Sequence, residues 1–403
     1  MEFERNIQKI TRHVPIRIAW ISDFPIEWMP DLPLPLQSLP KQHPSTWQVV
    51  LLSELEKNPA LQIYVIVLRK QVKQNFTFEK NGVVFHILKV PGGLRAPSFF
   101  WLDTFLINRV LKKIQPDLVH AWGVEKGAAT VASRLDYPHL ITLQGLFTWL
   151  KELVPVGNYQ RFIALCETIS FKRIKMATTE SAFAVQYLKT KYPKLQVFQA
   201  EHAPNWIFHR IQRRPQIQPV RFVCVATLGY AKGTDLLLRA LDELAREFCF
   251  ELVLIGAPNP TFLNSLKSTV SPEFWRRIVL KTDLSPPEVA EELATATMLL
   301  LPTRADTSPN AVKEAVVAGV PVVASAIGGI VDYVFPGKNG FLFPSNNLDE
   351  FIKSIRAACQ HPLFSRGEVD AEALKKSREY LSPQTMGRRF LEAYEKALKL
   401  GNV

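Results

Sequence analysis

Short hydrophobic runs rich in β-branched residues alternate along the chain with longer segments in which hydrophobic residues recur at helical spacing. Five such runs lie in the first half, at 16–21, 62–68, 83–88, 117–122 and 139–144. The segments 99–115 and 126–135 between them have the spacing of amphipathic helices. Because strand–helix alternation is the repeating unit of parallel sheets, this pattern predicts βα units on a parallel sheet.

The same alternation restarts after a proline-rich, polar stretch at 202–219, with runs at 221–227, 251–256, 277–281, 298–302 and 320–325. A break of this kind indicates a linker between two doubly wound α/β domains. We therefore expect a Rossmann-like domain over 1–205, a linker at 206–219 and a second Rossmann-like domain over 220–382. An amphipathic helix follows within 383–403, and the sequence leaves open whether it packs back on the first domain.

Length and composition agree with two domains. The chain has 403 residues, of which 47% are hydrophobic and 21% charged, enough for more than one core. No hydrophobic run reaches the roughly 18 to 20 residues that a membrane span requires. The charged segment 1–13 lacks the hydrophobic part of a secretory signal, so we expect a cytoplasmic protein. The four cysteines have no metal-binding spacing, which favours reduced thiols.

Positive charge is concentrated in the first half, with 25 basic against 15 acidic residues in 1–200 and 24 against 22 in 201–403. If 171–175, 187–194 and 210–214 fold near one another, they form a basic surface. Such a surface favours peripheral association with anionic lipid at the inner face of the membrane, or an acidic acceptor, although an ordinary solvated face fits equally well. Nucleic-acid binding is not expected, because no recognition motif accompanies the charge. The aromatic segment 97–113 suggests either an interfacial helix or, by preference, core packing.

The segment DTSPNAVKEAVVAG, at 306–319, predicts the start of a helix beside the end of a buried strand. We expect Ser308 as N-cap, Pro309 at the first helical position and Gly319 as the terminating residue. The free amides of the first turn and the positive end of the helix dipole suit a phosphate or diphosphate.

Glu314 shares a helix face with Asn310, four residues before it. A carboxylate just beyond the first turn is ill suited to phosphate but well suited to sugar hydroxyls. An ordinary surface position is the alternative, and it is disfavoured because the neighbouring alanine and valine residues predict a mostly buried helix.

A second anion site is indicated where the strand at 221–227 turns into a helix through Lys232 and Gly233. A lysine there can neutralise phosphate oxygens as a point charge. The chain contains neither GxGxxG nor GxxxxGK[ST], so it has neither the dinucleotide-binding fingerprint nor a P-loop.

In their order along the chain, these motifs resemble those of the GT-B glycosyltransferases of family 4, also called glycosyl transferases group 1, which are retaining, nucleotide-sugar-dependent enzymes. The matching segments are DLVHAWG (117–123), ITLQG (141–145), APNWIF (203–208), LGYAKGTDLLLRAL (228–241), LVLIG (252–256), 306–325, GGIVDYV (328–334) and GKNGFLFP (337–344). The family's acidic pair, separated by seven residues, falls on Asp306 and Glu314. The resemblance implies the GT-B fold, with two Rossmann-like domains facing a cleft.

For the donor side, the resemblance implies that Glu314 holds the ribose, Asp306 faces the donor sugar and Lys232 neutralises the diphosphate. Other donor-binding residues expected from it are Gly229, Gly233, Ser308, Pro309, Asn310, Ala311 and, near the nucleobase, Leu280. Thr227 stands where the family usually has a second cation, and Arg304 is our suggested substitute.

For the acceptor side, the resemblance points to His120 as a catalytic residue that orients a hydroxyl, with a buried structural histidine as the alternative. Trp122 and Gln144 replace histidines that the family often carries, and Gly145 follows. These replacements leave the acceptor open.

The implied activity is transfer of a hexose from a UDP- or GDP-sugar to a polysaccharide precursor, glycolipid or other glycan. No cofactor beyond the nucleotide-sugar substrate is expected. The absence of a D-x-D sequence favours a metal-independent reaction. A non-catalytic GT-B subunit or nucleotide-sugar binding protein is the alternative, and a GT-B epimerase is less favoured.

Overall fold

The computed structural model describes residues 14–41, 45–258 and 260–401, which form two α/β domains, each built on one sheet. The predicted α/β class with two parallel-sheet domains is confirmed. The segment 1–13, on which the expectation of a missing secretory signal rests, lies outside the described residues.

The first domain contains an eight-stranded sheet, in the order β3-β4-β2-β1-β5-β6-β7-β8. Its strands are β1 (Ile16–Ile21), β2 (Leu61–Arg69), β3 (Phe76–Lys80), β4 (Val83–Lys89), β5 (Leu118–Trp122), β6 (His139–Thr142), β7 (Met176–Thr179) and β8 (Gln196–Gln199). All neighbouring strands are parallel except β3, which pairs antiparallel with β4 at one edge. The hydrophobic pattern did not predict β3, β7 or β8, because these strands are short or rich in polar residues.

Helices cover both faces of this sheet. They are α1 (Leu34–Gln37), α2 (Thr46–Leu55), α3 (Trp101–Ile114), α4 (Ala128–Ala132), α5 (Phe147–Leu153), α6 (Asn158–Phe171) and α7 (Ala182–Lys191). Alternate residues of β1 enter two different cores: Ile18 and Trp20 lie in one, and Ala19 and Ile21 in the other. A strand buried on both faces reads as a continuous hydrophobic run, which is why IRIAWI was recognisable in the sequence.

The second domain contains a six-stranded parallel sheet, in the order β11-β10-β9-β12-β13-β14. Its strands are β9 (Val220–Val225), β10 (Phe250–Ile255), β11 (Ile278–Lys281), β12 (Met298–Leu301), β13 (Val322–Ser325) and β14 (Gly340–Phe343). The strand order reverses direction between β9 and β12. In open α/β sheets, ligands bind at such a reversal, outside the carboxyl ends of the strands.

The remaining helices are α8 (Trp206–His209), α9 (Thr234–Leu244), α10 (Pro260–Lys267), α11 (Pro272–Trp275), α12 (Pro286–Thr295), α13 (Asn310–Ala318), α14 (Leu348–Gln360), α15 (Ala371–Tyr380) and α16 (Pro383–Gly401). Helix α16 returns to the first domain, where Phe390 and Tyr394 are buried in the core that contains Trp20. The indole N–H of Trp20 donates to the Tyr394 hydroxyl at 3.0 Å. The last helix therefore ties the end of the chain to the first domain.

The basic segment 210–214 is occupied with contacts inside the second domain. The Arg213 guanidinium donates to the carbonyls of Ala296 and Gly367 at 2.7 and 2.8 Å, and Arg214 pairs with Glu291. Arg213 is therefore not part of the expected basic surface, whereas Arg210 and Arg214 of this segment are exposed. None of the helices in the described residues is long and apolar enough to cross a membrane.

Candidate active site

The carboxyl ends of the two sheets face each other and touch. The hydroxyl of Thr307, after β12, donates to the carbonyl of Gln144, after β6, at 3.0 Å. The hydroxyl of Tyr333, beyond β13, donates to the carbonyl of Glu180, after β7, at 2.9 Å. Loops that carry candidate residues therefore meet at the junction between the two domains, and we call the two sides of this junction the walls of the interdomain cleft.

Lys232 and Asp306 meet on the second-domain wall. Lys232 lies in a short 3-10 turn after β9, and its ammonium group donates to one carboxylate oxygen of Asp306. The other oxygen accepts the backbone N–H of Ser308 at 3.1 Å. The Lys232 side chain is 31% exposed and that of Asp306 is 11% exposed. The lysine is thus directed at the start of α13 and retains access to the cleft.

Gly233 makes this approach sterically feasible. Its φ is +70°, and a β-carbon at this position would lie 1.8 Å from the carbonyl oxygen of Pro302. Only glycine fits both the backbone conformation and the contact. The turn that carries Lys232 therefore lies directly against the loop that carries Asp306.

Helix α13 begins one residue later than expected. Pro309 is the N-cap, without a side-chain cap, whereas Gly319 ends the helix with φ +77°, as predicted. Ser308 as N-cap is wrong, because its hydroxyl instead pairs with the Tyr333 hydroxyl at 2.9 Å. The amides of the first turn at Asn310 and Ala311 consequently have no side-chain cap, which leaves them suited to an anion.

Glu314 is half-buried on α13, and among the described residues its carboxyl group has no hydrogen-bond partner. Burial raises its pKa to about 8, while the charge of Lys313 opposes the shift. A desolvated carboxyl group without a partner is costly in a folded protein, and such groups are common at functional sites. Glu314 is therefore free to accept hydrogen bonds from a ligand.

Arg304 does not supply the missing phosphate cation, so that expectation is wrong. Its guanidinium donates two hydrogen bonds to the Asp235 carboxylate, at 2.6 and 2.7 Å, and stacks on the Tyr230 ring at 4.0 Å. A third hydrogen bond goes to Asn346 at 2.8 Å. These contacts fix the arginine within the second domain as a structural residue.

The other predicted donor residues occupy the same edge of the sheet or its surroundings. Gly229 precedes the Lys232 turn and donates its N–H to the Thr234 hydroxyl at 3.0 Å. Thr227 is exposed in the loop after β9. Leu280 is exposed on the edge strand β11. The donor-binding roles of Thr227 and Leu280 stay predictions.

His120 lies in the core, so the expectation that it orients an acceptor hydroxyl is wrong. It is fully buried, and its two ring nitrogens pair with the Tyr394 hydroxyl at 2.8 Å and the Thr142 hydroxyl at 2.6 Å. Burial holds its pKa well below the usual value, which keeps the ring neutral. The buried structural histidine named as the alternative is the arrangement found. Trp122 packs beside it at 4.5 Å, although the indole also lines a small cavity with Asp23.

On the first-domain wall, Gln144 and Gly145 are half-buried after β6. The carboxylate of Glu125 lies beside them and was not predicted from the sequence. A β-carbon at Gly123 would lie 2.1 Å from one carboxylate oxygen of Glu125, and a β-carbon at Gly145 would lie 3.3 Å from the other. Burial raises the pKa of Glu125 to about 7. A carboxylate directly after β5, in WGVEKG, was the available signal.

A cavity of about 540 Å³ opens in the first domain at the ends of β1, β2 and β4. Its charged lining is organised in ion pairs: Arg69 and Lys126 both contact Asp23, Lys126 at 3.0 Å. Although burial raises the pKa of Asp23, these two cations lower it below the usual value. Arg95 lines the same cavity. Because the charged residues come from separate loops, no sequence motif predicted the cavity.

The two domains are joined by a buried charge cluster. Lys313, on α13, is fully buried and donates to the Glu180 carboxylate of the first domain. The other oxygen of Glu180 lies 3.1 Å from the Nδ1 atom of His202. Burial alone would raise the pKa of Glu180, but His202 and Lys313 lower it to about 2. This cluster fixes the helix that carries Glu314 against the opposite wall of the cleft.

Residues 219–361 match the family described as glycosyl transferases group 1. This match lies within the second half of the chain and covers all six strands of the second sheet. The chain is 29% identical over 142 residues to D-inositol 3-phosphate glycosyltransferase 1 of Catenulispora acidiphila, a match that covers 32% of this chain and 34% of that protein. It is 22% identical over 325 residues to sulfoquinovosyl transferase SQD2 of Arabidopsis thaliana, covering 73% of this chain and 61% of that one. The chain thus spans about a third to three fifths of these relatives.

Solved glycosyltransferase structures share the fold over nearly the whole chain. Sucrose-phosphate synthase of Thermosynechococcus elongatus superposes with a TM-score of 0.77 at 14% identity, covering 96% of this chain and all of that one. Anabaena HepE, solved with UDP-glucose, superposes with a TM-score of 0.67 at 13% identity, covering 94% of this chain and all of HepE. The predicted GT-B fold and resemblance to this glycosyltransferase group are confirmed. The roles of individual site residues stay predictions.

Proposed function

We propose that this chain is a retaining, metal-independent glycosyltransferase that transfers a hexose from a UDP- or GDP-sugar to a glycan or lipid-linked acceptor. The observation that carries the proposal is the meeting of Lys232 and Asp306 at the uncapped start of α13, inside the cleft between two Rossmann-like domains. The group 1 match over the second domain and the UDP-glucose complex of HepE support a nucleotide-sugar donor.

Lys232 and the start of α13 stabilise the leaving group in this proposal. Cleavage of the sugar–phosphate bond builds negative charge on the terminal phosphate, and fixed positive potential aimed at that charge lowers the barrier. In the free protein, the Lys232 ammonium contacts Asp306. When a diphosphate takes the ammonium, the Asp306 carboxylate is released to face the donor sugar.

Glu314 holds the ribose of the donor. Its carboxyl group is half-buried on the same helix and has no other partner among the described residues. Two ribose hydroxyls can donate to the two oxygens of one carboxylate, and such charge-assisted hydrogen bonds are stronger than neutral ones. Binding therefore favours the ionised form of Glu314.

The acceptor enters from the first-domain wall. Glu125 lies against Gly145, and the neighbouring Gln144 contacts Thr307 of the opposite wall, next to Asp306. Glu125 accepts a hydrogen bond from the acceptor hydroxyl. As the acceptor oxygen bonds to the anomeric carbon, the sugar–phosphate bond breaks and the hydroxyl proton passes to the departing diphosphate. We assign no nucleophile of the protein.

The ion-paired cavity near Asp23 is wide enough for a sugar or a polar head group. Paired charges present several fixed donors and acceptors, which suits a polyhydroxylated acceptor. A cytoplasmic location, with peripheral association with anionic membrane through the basic first domain, completes the proposal.

A non-catalytic nucleotide-sugar binding subunit is the second candidate. Thr227 lacks the positive charge of the family's second cation, and Arg304 is occupied by Asp235. A single lysine at the diphosphate is adequate for binding and would give slower transfer than two cations.

Nucleotide release separates the two candidates. The protein is incubated with UDP- and GDP-hexoses, with and without a panel of glycan and lipid-linked acceptors, and free nucleoside diphosphate is measured. Release that requires both a donor and an acceptor supports the transferase. Binding of the nucleotide without release across the panel supports the binding subunit. Release with a donor alone, together with a changed sugar epimer, indicates the epimerase.

A further inference from the structure

Large hydrophobic side chains are exposed on one side of the first domain. In the described part of the chain, eight of the 16 exposed large hydrophobic residues lie between Leu94 and Ile169. Trp101 and Phe105, on α3, are 60% and 61% exposed. Leu165 and Ile169 are exposed on α6. Exposed aromatic groups in such density mark an interaction surface.

Helices α3 and α6 belong to one surface. The buried helix α4 contacts both of them on the same face of the sheet. Phe99, just before α3, packs edge-on against Phe162 of α6 at 5.0 Å, and Arg134, after α4, lies over the Trp101 ring at 4.4 Å. We call the exposed sides of α3 and α6, with Phe99 and Arg134, the α3–α6 face.

The exposed charged side chains of the α3–α6 face are all basic. Along α3, Trp101, Phe105, Arg109 and Lys112 follow one another at helical spacing and are all exposed. The only carboxylates of α3 and α6 are Asp103 and Glu167, and both are fully buried. Basic residues adjoin both helices at their exposed sides: Lys113, Arg161, Lys172 and Arg173. Nothing on either helix opposes approach to a negative surface.

Aromatic and basic side chains are interleaved on the α3–α6 face. This mixture distinguishes a lipid surface from a protein partner. Arg134 stacks on Trp101, and Arg109 lies 5.7 Å from the Phe105 ring. Protein–protein interfaces favour arginine and aromatic residues but are depleted in lysine, and this face also exposes Lys112, Lys113 and Lys172. At the boundary of a bilayer, by contrast, aromatic rings enter beside the acyl chains while arginine and lysine reach lipid phosphates.

We propose that the α3–α6 face docks the protein on an anionic lipid bilayer. Each basic residue near such a surface contributes on the order of 1 kcal/mol, and insertion of Trp101 and Phe105 adds hydrophobic burial. The 540 Å³ cavity adjoins the same region, since Arg95, Ala96 and Phe100 line it just before α3. Docking therefore brings the cavity near lipid head groups, as a lipid-linked acceptor requires. The proposal assigns the membrane association of the proposed function to one face, and only this last step rests on the proposed transfer activity.

Sedimentation with lipid vesicles tests the docking without any assay of transfer. Phosphatidylcholine vesicles with and without phosphatidylglycerol are mixed with the wild-type protein, with Trp101→Ala/Phe105→Ala and with Arg109→Gln/Lys112→Gln. Ile217→Ala/Val331→Ala is the matched control, because both side chains are exposed hydrophobic groups outside the first domain. Thermal melting checks that every variant is folded.

The wild type and the control should bind the anionic vesicles, and added salt should weaken that binding. We expect each α3–α6 double variant to lose about tenfold or more in affinity. Wild-type protein that stays in solution, or binding unchanged in Trp101→Ala/Phe105→Ala, would overturn the proposal. A wild type that self-associates in gel filtration and becomes monomeric in that variant would assign the face to a second copy instead. A protein that binds vesicles but no nucleoside diphosphate would fail the proposed function and leave the docking intact.

Discussion

The two walls of the cleft are built by different means. On the second-domain wall, Gly233 brings two backbone segments together, and the uncapped first turn of α13 presents amide groups. On the first-domain wall, charged side chains such as Asp23, Arg69 and Lys126 form ion pairs around a cavity. A diphosphate is the same in every nucleotide-sugar donor, so fixed backbone suits it. Acceptors vary, and side chains from separate loops can change with them.

The largest effect is expected where the two walls are joined. Lys313→Met leaves the buried Glu180 carboxylate without its ammonium partner, and breaking a buried ion pair in this way costs about 3 to 5 kcal/mol. Urea unfolding measures the loss. Lys353→Met is the control, because Lys353 pairs with Glu350 on the surface and such pairs contribute roughly 0 to 1 kcal/mol. Equal losses in the two variants would refute a buried link.

The same ion pair predicts that the folded protein loses stability at low pH. The pKa of Glu180 is lowered in the folded protein from 4.5 to about 2, so its stabilising contribution is complete above pH 4.5 and is lost as the pH falls toward 2. The stability of Lys313→Met should depend less on pH over that range.

Replacing Gly233 should disrupt the close contact between its own turn and the backbone of Pro302 on the second-domain wall. Gly233→Ala should destabilise the protein by about 2 to 4 kcal/mol and abolish nucleotide binding, because the added methyl group meets the Pro302 carbonyl. Gly337 also has positive φ, +73°, but nothing lies within 4 Å of a β-carbon there. Gly337→Ala should therefore cost only about 1 to 2 kcal/mol, the strain of the backbone conformation alone. Thermal melting and nucleotide titration compare the two, and a similar loss in both would remove the steric argument.

The first-domain wall should affect transfer without affecting the donor. Glu125→Gln removes the carboxylate that we propose for the acceptor hydroxyl, and we expect transfer to fall by about tenfold to a hundredfold while nucleotide affinity stays unchanged. Measuring kcat and KM for both substrates separates these effects. Glu152→Gln, at an exposed position of the same domain, is the control. A loss of nucleotide affinity in Glu125→Gln would show that the walls are not divided in this way.

The smallest expected effect is the release of a proton from Glu314 when a nucleotide binds. In the free protein Glu314 has its pKa raised from 4.5 to about 8, so the protein loses stability as the pH rises between these values. Ribose hydroxyls favour the ionised carboxylate, so nucleotide binding at pH 7 should release up to about one proton and strengthen as the pH approaches 8. Calorimetry in buffers of different ionisation enthalpy counts the protons. Glu314→Gln should release none, and equal release from the variant would exclude Glu314.

The second domain was more readable from sequence than the first. The pattern SPNAVKEAVVAG shows a buried helix, its end at Gly319 and a carboxylate on it. Its start was misplaced because Tyr333, 25 residues beyond Ser308, takes the serine hydroxyl. Arg304 was misassigned for a similar reason, since nothing near it in sequence reveals Asp235 as its partner. Local pattern thus predicts elements, whereas contacts between distant loops decide which polar groups remain free.

The first domain shows the same limit more strongly. His120 lies in the middle of β5, two residues before the end at which a functional residue is expected, and Tyr394 comes from the last helix of the chain to bury it. The cavity around Asp23 combines residues from several loops, and Lys313 finds Glu180 in the other domain. The partners in each of these contacts are far apart in the sequence, so no local sequence pattern predicts them.

The central claim is that Lys232 and the start of α13 bind the diphosphate of a nucleotide-sugar donor. Calorimetric titration of UDP and GDP into the wild type, Lys232→Ala and the exposed control Lys267→Ala tests it most directly. We predict that at least one nucleotide binds the wild type and the control equally. Loss of a charge-assisted contact worth about 1.5 to 3 kcal/mol should weaken binding to Lys232→Ala by about tenfold to a hundredfold. Equal affinity in all three proteins, or no binding of either nucleotide to the wild type, would contradict the account.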